Sequence, residues 1–329
     1  MKKIVLLFIM IFATFVAQAD DALDWQNVYS EIKKNYIKDL NCENLAVAAL
    51  KGINNIDKNL KVANDNTRIS IYYKRKVVKV LRKPEDVNDD KSWGHLSAEV
   101  IKAAVSASPI VDEKSFKIAD EMAKGILNIL DKDSVFYANM DEAEGMSKRN
   151  KRHWADRLFD DNVLYIKITA FNKQSFSNMQ DALNKYTDAD KLIIDVRGCP
   201  GGMAGEAIKI ADLFLDEGII ASVKSKDQTS LDFYNADKDE LFASKEIEIW
   251  TDEQTASAAE ILAAALQEQG RAIIKGKKTF GKGSMQKLIL LPSGSILAVT
   301  SGYFQTPSGR ELNGNGIIPD IEDDNLPEY

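Results

Sequence analysis

Residues 192–202 read Leu192-Ile-Ile-Asp-Val-Arg-Gly-Cys-Pro-Gly-Gly202. Leu192 to Val196 is an apolar run of strand length, stopped at once by a turn holding Gly198, Pro200, Gly201 and Gly202. Such a run, bounded by glycine and proline, reads as a strand covered on both faces. Upstream, Val163 to Thr169 reads as a strand and 174–186 as a helix. Downstream, helix 204–215, strand Ile219 to Val223, strand Ile247 to Trp250, the Ala-rich helix 257–269 and strand Ala272 to Ile274 follow. Strands at 285–291 and 296–303 look antiparallel. Alternating strands and helices predict an α/β fold, a mostly parallel core sheet with packed helices. Ligands bind such sheets at the carboxyl ends of the strands, which makes Arg197 to Gly202 a candidate site. The plainer reading is a tight turn that needs glycine.

The first half has another character. Trp25, Val28, Ile32 and Tyr36 recur at helical spacing, and helical pattern returns over 96–107 and 114–130. Between them, Ile69, Ile71 and Tyr73, then Val77, Val78 and Val80, flank Lys74-Arg75-Lys76 and predict a hairpin over 68–81. Lys51-Gly52-Ile53-Asn-Asn-Ile56 is echoed by Lys124-Gly125-Ile126-Leu-Asn-Ile129, which fits either duplication or chance.

Met1 to Ala19 has a charged start at Lys2 and Lys3, an apolar run Ile4 to Val16, and small residues at Ala17 and Ala19. That is the pattern of a secretory signal peptide, and the run falls short of the roughly 20 apolar residues that span a bilayer. The expected location is therefore exported, most simply the bacterial periplasm.

The 329 residues carry 43 Lys and Arg against 50 Asp and Glu, a net charge of −7. An acidic chain of this kind is not expected to bind nucleic acid. Its two Cys cannot form a four-Cys zinc site, and neither a metal nor a cofactor is expected. Cys42 and Cys199 are available to pair in an oxidising compartment, and their spacing leaves that open. With only two His, His95 and His153, proton transfer in any active site falls to another residue type.

Several segments can carry chemistry. Gly276 to Gly283 nearly spells a phosphate loop, but Gly283 stands where Ser or Thr must follow the Lys. Ser257-Ala-Ala-Glu260 opens an apolar helix and reads first as a capping box. The same position offers free N–H groups and a partial positive charge, which suit a Ser beside a developing oxyanion. Lys282 sits between Gly281 and Gly283, which allow close backbone approach, and Gln286 follows four residues on. A Lys there is ordinarily a solvated charge, yet a desolvated Lys can activate a Ser hydroxyl. Lys148, Arg149, Lys151, Arg152 and His153 form a basic cluster that reads as a solvated connector, or as a contact for anionic lipid or an acidic partner.

Taken together, these segments resemble the carboxyl-terminal processing (tail-specific) peptidases, Ser/Lys proteases of family S41. The resemblance runs from about Val163 to Ile321, through Leu192 to Gly202, Thr255 to Glu260, Thr279 to Gln286, Thr306 to Arg310 and Gly314 to Ile321. Upstream, Leu130 to Tyr137 with Asp141-Glu142 looks like the family's segment before its PDZ domain. The resemblance implies a crotonase-like peptidase core, Ser257 as nucleophile, Lys282 as general base and Gln286 as the residue that positions it. It places the oxyanion hole at the backbone N–H groups of Gly202 and Ala258. It implies an endopeptidase acting on proteins or peptides through an acyl-enzyme.

One departure stands out. Only about 20 residues, 142–162, fill the interval where the family carries its PDZ domain. The expected layout is signal peptide 1–19, a helical region with hairpin 20–141, a basic connector 142–162 and a peptidase core 163–329. The rival class is a peptide-binding or scaffold protein that keeps the peptidase fold.

Overall fold

A computed structural model describes residues 21–143, 153–226, 231–237 and 245–328. The signal peptide expected at 1–19 lies outside the described residues, as does the basic cluster except for His153. The chain divides into two compact units, Met1–Ala143 with Gln286–Thr300, and Glu144–Met285 with Ser301–Tyr329.

The first unit begins with helices α1 (Asp21–Asn35) and α2 (Cys42–Gly52). Strands β1 (Leu60–Asn64), β2 (Arg68–Tyr73) and β3 (Lys76–Arg82) follow. Helices α3 (Asp90–Ala107), α4 (Pro109–Glu113) and α5 (Ile118–Leu127), strand β4 (Val135–Tyr137) and helix α6 (Met140–Ala143) complete it. The helical spacing of Trp25, Val28 and Ile32 is matched by their burial in one core with Trp93, Val100 and Met122.

The echo around Gly52 and Gly125 has a packing basis. A Cβ on Gly52 would meet the Glu121 carbonyl oxygen at 1.9 Å, and one on Gly125 would meet that of Ala48 at 2.3 Å. Helices α2 and α5 therefore approach through two reciprocal glycine contacts. The predicted hairpin forms with Lys74 and Arg75 at its turn, at φ 47° and 65°. The short β1 adds an antiparallel third strand to it, giving the order β1-β2-β3.

In the second unit, β5 (Trp154–Leu158) and β6 (Val163–Ile168) pair antiparallel, so the interval expected as a connector contributes a sheet strand. Helix α7 (Ser175–Lys185), strand β7 (Lys191–Asp195), helix α8 (Ala204–Asp212) and strands β8 (Ile219–Ser225), β9 (Leu231–Asn235) and β10 (Glu246–Thr251) follow. Then come helix α9 (Ala258–Glu268) and strands β11 (Ile273–Gly276), β12 (Ser284–Leu290), β13 (Ile296–Gln305) and β14 (Ile321–Glu322).

The core sheet has the order β14-β11-β10-β7-β6-β5, parallel except at β5. Leu164, Ile166, Leu192, Ile194, Ile249 and Ile274 bury one face with apolar residues of α7, α8 and α9. Tyr165, Ile193 and Trp250 form a smaller cluster on alternate positions, with Leu326 against it. Residues 286–300 leave the expected peptidase segment for the first unit. Ile289, Leu291, Leu297 and Val299 join that unit's core, and residues 296–298 pair with β4.

Candidate active site

Three loops leave the carboxyl ends of β7, β10 and β11, which are adjacent parallel strands. They are 196–203, 252–257 and 277–283, and they carry the residues expected at the site apart from Gln286 and Ala258. Ala258 is the first residue of α9.

The first loop is held from below by a buried charge cluster. The Asp195 side chain is wholly buried and accepts from Arg197 at 2.7 Å, Lys167 at 2.9 Å and the Tyr165 hydroxyl at 2.7 Å. Burial alone would raise the Asp195 pKa, but hydrogen bonds from Arg197, Lys167 and Tyr165 outweigh it and hold the carboxyl below its ordinary value. Desolvation, and then the bond to Asp195, raise the pKa of Tyr165. Arg197 also donates to the carbonyls of Leu326 and Pro327, at 3.0 and 2.7 Å, tying the C-terminal segment to the loop.

The second loop is clamped to the first. The Asp252 carboxylate accepts from the Gly198 N–H at 2.9 Å and the Thr255 N–H at 2.9 Å. The Thr255 hydroxyl donates to the Val196 carbonyl at 3.0 Å, and the Ala256 N–H to the Cys199 carbonyl at 2.9 Å. Ser257 follows at the N-cap of α9, with φ 56° and ψ −119°. This is a strained conformation for a residue with a Cβ, and such strain persists only where surrounding structure enforces it.

Gly201 and Gly202 supply part of that enforcement. A Cβ on Gly201 would lie 2.7 Å from the Ser257 Cβ and 2.9 Å from the Ala258 nitrogen. One on Gly202 would lie 2.1 Å from the Phe171 carbonyl oxygen. Phe171 bridges this turn, donating to the Gly201 carbonyl at 2.8 Å and accepting from the Met203 N–H at 2.9 Å. The Gly202 N–H takes no part in that bridge. Ala258 opens α9, where first-turn N–H groups have no acceptor within the helix.

The third loop reaches the second through Glu260, which is wholly buried. Its Oε2 accepts from the Ser257 N–H at 2.8 Å and from the Lys282 N–H at 2.9 Å. Its Oε1 accepts from the Gly281 N–H at 2.7 Å and from the Thr279 hydroxyl. The carboxylate half of the expected capping box is present, and the same group fixes the loop bearing Lys282. The Phe280 N–H adds a bond to the Thr255 carbonyl at 2.9 Å. Lys282 is half-buried.

The last two family segments buttress this loop. The Ile317 N–H donates to the Thr279 hydroxyl at 2.7 Å, and Arg310 donates to the Gly316 carbonyl at 2.8 Å. Gln286 stands in β12 within the first unit, where its amide donates to the Asp133 carbonyl.

Sequence reasoning missed Asp252, Thr279 and the wider reach of Glu260. Their partners lie on other loops, so local spacing carries no sign of them. Both cysteines are free and buried, and desolvation pushes the Cys199 thiol up to about 11. His95 stands on α3 of the first unit, while His153 faces the Thr169 hydroxyl at 3.4 Å. Among the described residues, no group of three or more His, Cys, Asp or Glu is arranged to hold a metal ion. No helix among them is long and apolar enough to cross a membrane.

Residues 162–323 match the model of peptidase family S41. A carboxy-terminal-processing protease of Bartonella bacilliformis is 37% identical over 163 residues, covering 48% of this chain and 38% of that protein. A probable CtpA-like serine protease of Staphylococcus aureus is 35% identical over 199 residues, covering 57% of this chain and 39% of that protein. The chain thus spans less than half the length of these curated relatives. Among solved structures, a lipoprotein from Streptococcus agalactiae shares the fold, with a TM-score of 0.54 at 15% identity over 88% of this chain and 94% of that one.

Proposed function

We propose that this chain, whose residues 162–323 match the model of peptidase family S41, is a serine endopeptidase that hydrolyses protein or peptide substrates with a Ser/Lys pair. The observation that carries the reading is the Glu260 carboxylate, which fixes the backbones of Ser257 and Lys282 through one oxygen.

In this reading the Ser257 Oγ attacks the scissile carbonyl carbon while its proton passes to the Lys282 amine. The oxyanion that forms is held by the N–H groups of Gly202 and Ala258. The carbon–nitrogen bond then breaks, and Lys282 returns the proton to the departing amine. Water attacks the resulting ester and gives a proton to Lys282, which passes it to the Ser257 Oγ as the ester bond breaks and the carboxylic acid product leaves. The strained backbone of Ser257 supports the assignment, since it holds the residue beside the Gly201-Gly202 turn. Gln286 is carried over from the family resemblance as the residue that orients Lys282.

The proposal includes export, with residues 1–19 removed as a signal peptide, and a layout in which 142–162 replaces a PDZ domain. Processing of protein C-termini is part of it, and the name of the Bartonella relative, a carboxy-terminal-processing protease, supports that extension. Acid-quenched single-turnover reactions with a denatured protein test it. Intact and peptide mass spectrometry should find an acyl adduct on the peptide bearing Ser257. An adduct on another residue contradicts the assignment.

A further inference from the structure

The three-stranded sheet of the first unit has one covered and one open face. Leu60, Val62, Ile69 and Ile71 point into the core. By the strand registers, Lys61 stands beside Tyr72, Tyr72 beside Val77, and Ser70 beside Val80, all on the opposite face. Val77 and Val80 are 59% and 47% exposed there. Among the described residues β3 pairs only with β2, so its other edge carries unpaired backbone groups.

An open cavity of about 710 Å³ lies on this sheet, lined by Lys58, Asn59, Lys61, Ala63, Tyr72, Lys74 and Arg75. Four of these side chains are cationic and none is acidic. Among the described residues none of the four enters an ion pair, although the chain as a whole is acidic. The nearest acid in sequence, Asp57, is buried and accepts from the Ser108 hydroxyl at 2.6 Å. Farther along the sheet, Lys79 and Arg82 pair with Glu99 and Glu85.

We infer that the open face and free edge of β1–β3 dock an extended acidic polypeptide segment, the tail of a protein substrate. The word substrate rests on the peptidase reading above, while the docking does not. The free edge of β3 can add a strand through main-chain hydrogen bonds, with alternate side chains of that strand beside Val77 and Val80. Lys74 and Arg75, in the turn that leads into β3 and at the rim of the cavity, then meet carboxylates of that strand. A lipid surface fits less well, since it is flat and cannot use the backbone edge, whereas these cations ring a concavity.

The test uses the full chain carrying Ser257→Ala, so that peptides survive, and fluorescence anisotropy with three labelled ten-residue peptides. One alternates Glu and Val, one alternates Lys and Val, and one repeats the Glu peptide with alternate amides N-methylated. At low salt the Glu peptide should bind at least ~10-fold more tightly than the Lys peptide, and the difference should shrink as salt shortens the reach of charge. N-methylation should weaken binding ~10-fold without changing charge, because it removes donors to the strand edge. The double variant Lys74→Glu, Arg75→Glu, checked for an unchanged melting transition, should lose the preference for Glu.

Equal binding of the Glu and Lys peptides overturns the proposal, as does indifference to N-methylation. Binding to phosphatidylglycerol vesicles without binding to the Glu peptide also overturns it. Failure of the peptidase reading would appear separately, as absence of cleavage by the unmutated chain.

Discussion

Glu260 and Lys282 are joined by a bond of 2.9 Å from the Lys282 N–H to the Glu260 Oε2, the oxygen that also receives the Ser257 N–H at 2.8 Å. One buried carboxylate therefore sets the relative position of two backbone segments that are distant in sequence. A helix cap alone would need only the Ser257 bond.

Glu260→Gln keeps the size of this side chain but turns one acceptor into a donor. At least one of the four groups now donating to Glu260 would lose its acceptor, at about 1–3 kcal/mol for a buried group. The expected result is a lower melting temperature and a kcat reduced by at least ~10-fold, with a smaller change in KM. Steady-state kinetics on a quenched peptide and thermal denaturation check both. Unchanged kcat would mean that the tie to the Lys282 loop has no catalytic consequence.

Two glycines of the same turn should respond differently. Gly201→Ala places a Cβ 2.7 Å from the Ser257 Cβ and from the Ala256 carbonyl oxygen, so backbone must move. Gly198 also has positive φ, at 69°, but nothing lies within 4 Å of a Cβ there. Gly198→Ala should cost about 1–2 kcal/mol of backbone strain and leave much of the activity. Gly201→Ala should remove activity. Equal effects on cleavage rate would contradict the packing argument.

The Asp195 cluster predicts an acid limit on stability. The folded carboxyl titrates below its unfolded value of about 3.9. Its stabilising contribution is therefore present above that value and is lost as pH falls through the folded pKa. Asp195→Asn leaves the partly exposed Arg197 and Lys167 without their buried counter-charge, a loss of about 1.5–3 kcal/mol for hydrogen bonds to a charged group. Denaturant titrations from pH 7 down to pH 3 should show the largest wild-type advantage at the upper end. A variant as stable as wild type at pH 7 would refute the role of the cluster.

Sequence and structure meet unevenly in these elements. The strand Leu192 to Val196 and its glycine turn were legible because burial on both faces and a sharp stop leave a local pattern. The hairpin at 68–81 was legible through β-branched residues around a basic turn. Strand β5 was not, since Trp154-Ala-Asp-Arg-Leu158 alternates weakly at the sheet edge and is half-exposed. The placing of 286–300 in the first unit had no local sign either, because it depends on which core accepts Ile289 and Val299. Within the site, Ser257 and Lys282 stood out by sequence context, while the backbone strain at Ser257 and the reach of Glu260 arise only from tertiary contact.

The cysteines give a chemical check on the core. Burial raises the thiol pKa of both Cys42 and Cys199, that of Cys199 to about 11. Native protein at pH 8 should therefore take up little maleimide, and denatured protein should take up label at both positions. Quantitative labelling of the native chain would contradict the buried, free state of the two thiols.

In the proposed reaction Ser257 performs the bond-breaking attack. Its most direct test is the rate at which Ser257→Ala cleaves one denatured protein, compared with wild type at equal concentration. The predicted result is active wild type and a variant with no cleavage above the buffer control, at an unchanged melting temperature. Cleavage by purified Ser257→Ala at the wild-type rate would contradict it.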